Sequence, residues 1–504
     1  MCMQRKLFLG IGIVGCLLSV SVTGLQAQSV PGAVSPGATT GKADTLPVLS
    51  LPQCIDIALK NNITVRQGQL QVQSSQLQLK QSKFNQLPSV NGFASQGFSS
   101  GRNINPSTNQ FVDVGVRSNN FQLSGSMPVF QGYQLRNLIR QNQTIVKASE
   151  KELDATENTV ILNVIQQYLA VLTGAEQLTV AKRQAETSQL QVERTQKLVN
   201  AGSAPEANLF EIKATLANDE LAVVNAQNTV DLAKLALLQA MNLPGGQAFE
   251  IEYIKLPDPR IEGYTATALQ VYEAALATQP QIIAADLRTE SARIGIDVAK
   301  AGLYPRLSLS GNLSSIYSTV GLSRFVADGT TTQNRTDANV EIAGTTQPVT
   351  IITTSPGGTY QTYGFFEQLT NTLNRGVSLN LNIPIFTNRQ YRTNVTTAII
   401  QQQNAQLTAD NTRLQLRQQI ETAYTNLLAA SNRYRATDAS VSSLERAFKA
   451  AESRFNAGAI NAVDYSLAKL RYDNARAQLV QAKYDYVFRT KILDFYQNKP
   501  LSFN

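Results

Sequence analysis

The chain has 504 residues, with 44 Lys and Arg against 36 Asp and Glu, 3 Cys, and neither His nor Trp. A formal net charge of +8 over that length, without a basic cluster, is no nucleic-acid signature. With no His and cysteines only at 2, 16 and 54, neither a disulfide framework nor a Cys/His metal site can be built, and no cofactor or metal is expected.

The N-terminus carries Arg5-Lys6, an apolar run from Leu7 to Val22, and Gly24-Leu25-Gln26-Ala27 before Gln28. That order predicts a secretory signal peptide over 1–27. A rival reading takes Ile13-Val14-Gly15-Cys16 as a lipoprotein box with Cys16 acylated, but the apolar run continues through Leu17-Leu18. Cleavage would remove Arg5 and Lys6, lower the charge from +8 to +6, and leave Cys54 as the one thiol, read as a small apolar residue in a helix. Residues 28–48 are rich in Pro, Gly, Ser, Thr and Ala and predict a flexible leader. Beyond residue 27 no stretch approaches the ~18 apolar residues of a spanning helix, so a membrane crossing would have to be a β-barrel.

Leu51-Pro52 opens a helical pattern, with Ile55, Ile57, Ala58 and Leu59, that predicts a helix to about Gln86. Strands follow between Pro88 and Pro128: Phe121, Leu123, Gly125 and Met127 alternate with Asn120, Gln122, Ser124 and Ser126, and 89–101 alternates more weakly. From Gln131 to Asn200 there is no Pro, and only Gly132 and Gly174 could weaken a helix of ~100 Å. Asn200-Ala201-Gly202 ends it, and a further helix over about 203–242 makes a hairpin with its tip at Gly202. A linker over 244–262 leads to a second copy. There the opening helix covers about 263–303, interrupted near Pro280, and the strands Leu307 to Leu313 and Val377 to Ile383 lie between Pro305 and Pro384. A helix over 387–456, a tip at Ala457-Gly458, a helix over 459–497 and a tail over 499–504 complete it.

A shift of 256 residues carries both Pro128 to Pro384 and Gly202 to Gly458, whereas 217 carries Pro88 to Pro305. The hairpin therefore has fixed length, and the second copy holds 39 extra residues within about 314–374. A connection that tolerates such growth reads as a loop, either a floppy surface loop or an added hairpin. The fold class expected is α+β, a duplicated strand–helical-hairpin repeat over 49–243 and 263–498. Four amphipathic strands per chain are too few to close a barrel, since single-chain outer-membrane barrels start at about eight. A barrel would have to be shared between chains.

Over residues 50–497 the chain resembles the TolC family of outer-membrane efflux channels. The resemblance rests on Leu51-Pro52-Gln53-Cys54-Ile55-Asp56-Ile57-Ala58-Leu59-Lys60-Asn61-Asn62, on the prolines at the barrel–helix junctions (Pro88, Pro128, Pro305, Pro384), and on the duplicated plan. It rests also on the Ala-Gly tips followed by Asp464 and Leu467-Ala468. It implies a homotrimer with a twelve-stranded β-barrel in outer-membrane lipid, continued by a twelve-helix α-barrel across the periplasm. A periplasmic adaptor, or membrane fusion protein, would dock on the tips (Ala201, Gly202, Ser203, Ala457, Gly458) and link the channel to an inner-membrane transporter. Known members line the entrance with two Asp one helical turn apart. Asp464 matches the first, but Leu467 replaces the second, and Glu211, which the 256 shift pairs with Leu467, is the candidate to supply the missing charge. Both also fit ordinary solvated carboxylates. The Tyr and Arg that close the entrance in those members correspond here to Phe455 and Ile460, so the resemblance implies an apolar gate.

The function expected is passive conduction of small molecules or drugs in a tripartite efflux system. The alternatives are an exit duct for type I protein secretion and, from another class, a periplasmic adaptor or scaffolding coiled coil. An enzyme is not expected: without His, and with no paired carboxylates, phosphate loop or nucleophile motif, no catalytic constellation stands out.

Overall fold

A computed structural model describes residues 48–104, 109–244, 249–253, 264–321, 323–342 and 344–499. The expected signal peptide, Cys16, the leader up to residue 47 and the tail from 500 onward lie outside the described residues.

The chain opens with β1 (Val48–Leu49), α1 (Leu51–Asn61) and α2 (Ile63–Phe84). The single helix expected over 51–86 is therefore two. Asn62 breaks it, turning to ψ 124° and accepting hydrogen bonds on its side chain from the Thr64 and Val65 amides at 2.8 and 3.3 Å, which caps α2. Next come β2 (Ser89–Ser99), β3 (Arg102–Ile104), β4 (Phe111–Asp113) and β5 (Val116–Gln131). The hairpin is α3 (Gln134–Asn200) and α4 (Glu206–Ala240), followed by β6 (Glu250–Ile251), which lies in the expected linker and pairs in parallel with β1 at the boundary between the expected leader and first repeat.

The second copy begins with α5 (Ala268–Thr278) and α6 (Pro280–Lys300). Pro280 opens α6, where its missing N–H costs nothing. The two breaks, Asn62 and Gln279, are related by the same 217-residue shift as Pro88 and Pro305. Then follow β7 (Arg306–Ser318), β8 (Ser323–Ile342), β9 (Thr345–Thr362), α7 (Phe365–Asn371), β10 (Asn374–Asn382), α8 (Gln390–Asn456) and α9 (Ala462–Tyr496). Both long helices have 67 residues and both returning helices 35.

The extra residues of the second copy form an ordered hairpin rather than a floppy loop. β8 and β9 pair antiparallel, with Phe325 edge-on to Tyr360 at 5.4 Å. At its base α7 returns against the end of β7: buried Gln368 accepts from the Ser318 amide at 3.1 Å, and Phe365 packs on Phe121 and Tyr317. The reading of two strands per copy omitted this hairpin and the small β3–β4 pair.

The main sheet has four antiparallel strands in the order β10-β7-β5-β2, so one strand of each copy lies at each edge. Register gathers the polar residues on one face, where Ser89 bonds Ser126 at 3.0 Å, Ser310 bonds Ser378 at 2.8 Å and the Asn380 amide donates to Ser310 at 2.9 Å. The other face carries Leu123, Met127, Leu307, Leu309, Leu379 and Leu381, with Val377 82 % and Leu379 63 % exposed. Pro88 and Pro305 immediately precede β2 and β7, and Pro384 lies just beyond β10. Pro128 lies inside β5, at a register shift that absorbs its missing N–H.

Each long helix is covered by shorter ones: α3 by α1, α2 and α4, and α8 by α5, α6 and α9, with α6 bridging α3 and α8. Gly174 lets α4 approach α3, since a Cβ there would sit 3.3 Å from Val230. One core joins Leu51, buried Cys54, Val164, Tyr168, Leu172, Leu237 and Met241, and a second joins Val271, Ile282, Leu416, Ile420 and Leu493. Burial pushes the Cys54 thiol up to about 11, consistent with an inert packing residue. No helix among the described residues is long and apolar enough to cross a membrane.

Gly202 and Gly458 have φ of 67° and 72°, and open space surrounds the position of a Cβ at each. Replacing either by Ala is therefore expected to cost about 1–2 kcal/mol through backbone conformation alone. Thermal unfolding followed by circular dichroism checks this, and an Asn variant should lose less than Ala at both sites.

Candidate functional site

The two tips are built alike. After Asn200 the Gly202 amide bonds the Val199 carbonyl (2.9 Å) and the Ser203 amide bonds that of Leu198 (2.8 Å). After Asn456 the Gly458 amide bonds Phe455 (3.0 Å) and the Ala459 amide bonds Arg454 (2.8 Å). This left-handed stop satisfies the last carbonyls and turns the chain sharply. Ala201, Gly202, Ser203, Ala457 and Gly458 are all exposed there.

Behind the tips the hairpins share one apolar cluster. Ile212 of α4 and Ala462 and Tyr465 of α9 are buried, with Val192 of α3, Phe448 and Phe455 of α8, and Ile460 packed on them. The Tyr465 ring stacks on Phe455 at 4.9 Å and leans on Phe448 at 5.8 Å. Phe455 and Ile460 thus belong to an apolar contact between the two copies, as their residue types suggest. The Tyr465 hydroxyl is buried without a hydrogen-bond partner, and burial pushes its ionisation up.

Asp464 lies exposed in the first turn of α9, its amide donating to the Asn461 side chain at 2.8 Å. A carboxylate there is favoured by the helix dipole, which gives it a local role as well. Glu211 is half-buried and lines a cleft of about 660 Å³ between α3, α4 and α9, together with Val463 and Leu467. The 256-residue pair Glu211 and Leu467 is therefore brought to one wall, whereas Asp464 is not part of that lining.

Deeper in the same cleft lies a charged cluster that the sequence reading missed. Lys469 of α9 is only 2 % exposed and donates to Asp219 of α4 and to Asp473, each at 2.7 Å. The Ser188 hydroxyl of α3 also donates to Asp219, and Thr215 and Ser466 are hydrogen-bonded beside it at 2.9 Å. Burial raises the Asp473 pKa, an effect opposed by Lys469 and reinforced by Asp219. The one available signal was the Lys469–Asp473 spacing of four, which usually marks a solvated helix face. The repeat misleads here, because the 256 shift pairs buried Lys469 with Lys213, which is exposed.

Lys469→Met should leave two half-buried carboxylates without their cation and destabilise the pairing of α4 with α9, by less than the ~3–5 kcal/mol of a fully buried pair. Asp473→Asn keeps an acceptor for Lys469 and should cost far less. Folded Asp473 holds its proton at pH values where the unfolded chain has released it, so its contribution to stability falls as pH rises through that window. The stability difference between wild type and Asp473→Asn, measured by thermal melts across pH, should follow that slope.

The sequence matches the family described as outer membrane efflux protein over residues 54–243 and 271–493. Among curated proteins it is 23 % identical over 312 residues to a probable outer membrane lipoprotein, SilC, of Salmonella typhimurium, covering 60 % of this chain and 63 % of that one. It is 21 % identical over 189 residues to the outer membrane protein TolC of Escherichia coli K12, covering 36 % and 38 %. The chain thus spans less than two thirds of the length of these relatives. Among solved structures, the outer membrane protein VceC of Vibrio cholerae superposes with a TM-score of 0.68 at 17 % identity, over 90 % of this chain and 97 % of that one. CusC superposes with a TM-score of 0.64 at 17 % identity, over 94 % and 97 %. The duplicated fold and the match across both of its copies together establish that this chain belongs to the outer membrane efflux protein family.

Proposed function

We propose that three copies of this chain form the outer-membrane channel of a tripartite efflux system, conducting small molecules passively. The observation that carries the reading is the main sheet: it has two unpaired edges, β2 and β10, one hydrogen-bonded polar face and one exposed apolar face. Free edges and an open apolar face are costly in water. Pairing β2 of one copy with β10 of the next makes twelve strands from three chains, removes every edge of these sheets, and turns the apolar face to lipid and the polar face to a wet lumen. The helices then continue as a tube into the periplasm, and the exposed tips meet a periplasmic adaptor coupled to an inner-membrane transporter. Energy comes from that transporter, since the channel itself catalyses nothing.

At the tips, Asp464 of each copy contributes a carboxylate ring at the entrance, with Glu211 set back in the cleft. Phe455 and Ile460, packed between hairpins, hold the entrance narrow by apolar contact. A soluble adaptor or scaffold would have no use for the open apolar face of the sheet.

The test is the oligomer mass and planar-bilayer conductance of detergent-purified protein. The expected result is a trimer with small cation-selective currents that fall in Asp464→Asn and rise in Ile460→Asp. A water-soluble monomer or dimer without current would reject the channel.

A further inference from the structure

At the end of the molecule opposite the tips, where the sheet passes into the helices, a cavity of about 340 Å³ lies between the ends of α3, α6 and α8. Its wall is polar, with Gln134, Gln141, Asn394 and Gln401, and its only charged group is Arg306, the first residue of β7. The guanidinium lies over the Tyr391 ring at 5.7 Å. Its Nε is buried without a hydrogen-bond acceptor, and among the described residues no carboxylate lies within ion-pairing distance of it. Arg306 as a whole is half-buried, but buried donors nearly always have partners, so this N–H calls for an acceptor.

The seat is shaped rather than accidental. A Cβ on Gly302 would come within 2.6 Å of the Tyr391 ring, so only glycine lets that ring lie beneath Arg306. Gln141 is fixed by donating to the Ser291 carbonyl at 3.3 Å, and Gly295 leaves it room. Gln134 and Tyr391, both on the cavity wall, are also the first-turn residues of the two long helices. Neither helix has an acidic residue in that turn or a side chain capping it, so the positive ends of both dipoles are left uncompensated beside the guanidinium. Along β7, Arg306 shares its face with Ser308, Ser310 and Asn312, and it stands opposite Asn382. That is the polar face of the sheet.

We propose that this cavity is an anion-binding station, taking a carboxylate or phosphate group of a soluble solute. Arg306 holds two of its oxygens, and the neighbouring amide side chains donate to the rest. In the trimeric channel, a reading on which the lumenal placement rests, three such stations ring the passage where the tube opens into the barrel. They favour anionic over cationic cargo at that level, complementing the carboxylates at the entrance.

The test uses the full chain in detergent, titrated with inorganic phosphate by calorimetry in low-chloride buffer, with Arg306→Gln, Arg306→Lys and Tyr391→Leu alongside. Saturable binding that weakens at least tenfold in Arg306→Gln, and less in Arg306→Lys and Tyr391→Leu, supports the station. No saturable heat in the wild type, or equal binding in Arg306→Gln with its melting temperature retained, overturns it. Short-chain phosphatidylglycerol below its micelle concentration is the control for a lipid headgroup: binding of that lipid without binding of inorganic phosphate also overturns the assignment. In bilayers, added phosphate should reduce the wild-type current and leave that of Arg306→Gln unchanged. A chain that binds phosphate but never conducts would sink the channel and spare the station, whereas a conducting chain blind to phosphate would do the reverse.

Discussion

A helix of 67 residues runs on the order of 100 Å, and no single globular core can cover it. Isolated, such a helix would owe its stability to propensity alone, so it must be packed along its whole length by other helices. That requirement governs the molecule. Each long helix is matched by a shorter returning helix from the tip end and by a broken pair from the sheet end, and both copies solve the problem with the same lengths. The breaks at Asn62 and Gln279 fall at one register of the repeat, each beside an apolar core, the first with Leu51, Cys54 and Ala58 and the second with Val271, Ala275 and Ile282. Insertion inside either long helix would throw sheet and tip out of register, whereas insertion between β7 and β10 disturbs neither. The 39 additional residues lie where they cost the helices nothing.

The extra hairpin has its own physical difficulty. A two-stranded ribbon in water is marginal by itself. Here its base is pinned: Arg324 pairs with Glu367 at 3.2 Å, and α7 docks Phe365 and Gln368 against the end of the main sheet. Higher up, the strands rely on cross-strand pairs such as Phe325 with Tyr360 and Asp337 with Thr350. The hairpin is thus an outgrowth anchored at one end of the scaffold, and it leaves the four-strand order unchanged.

Much of this plan was legible in the sequence, and the reasons differ by element. The long helices declared themselves by the lack of proline and the glycine stops, and the sheet by period-two alternation ending at prolines, because these are local rules of backbone geometry. The break at Asn62 was missed because a lone Asn within a run of helix formers carries no obligatory signal, whereas the matching break announced itself through Pro280. The strands of the extra hairpin were hidden by a Thr-, Asn- and Gly-rich composition that fits a loop as well as an exposed ribbon. Least legible were Arg306 and the Lys469 cluster, since their significance lies in what does or does not face them. Lys469 is one of two repeat-related lysines, and only the packing of α9 against α4 and α3 decides which is buried.

That difference between Lys213 and Lys469 bears on how the two hairpins work. A perfect duplication would give both returning helices equivalent surroundings, but α9 also packs against α3 and α4 of the other copy, and it carries the buried charges and Tyr465 into that contact. Apolar packing alone would let the hairpins slide, because it is tolerant of small shifts. A buried ammonium held by two carboxylates at 2.7 Å is not, since displacement leaves charge without a partner in a place water reaches poorly. The cluster therefore sets the register of α9 on α4, and the apolar cluster nearer the tips is left as the softer of the two contacts.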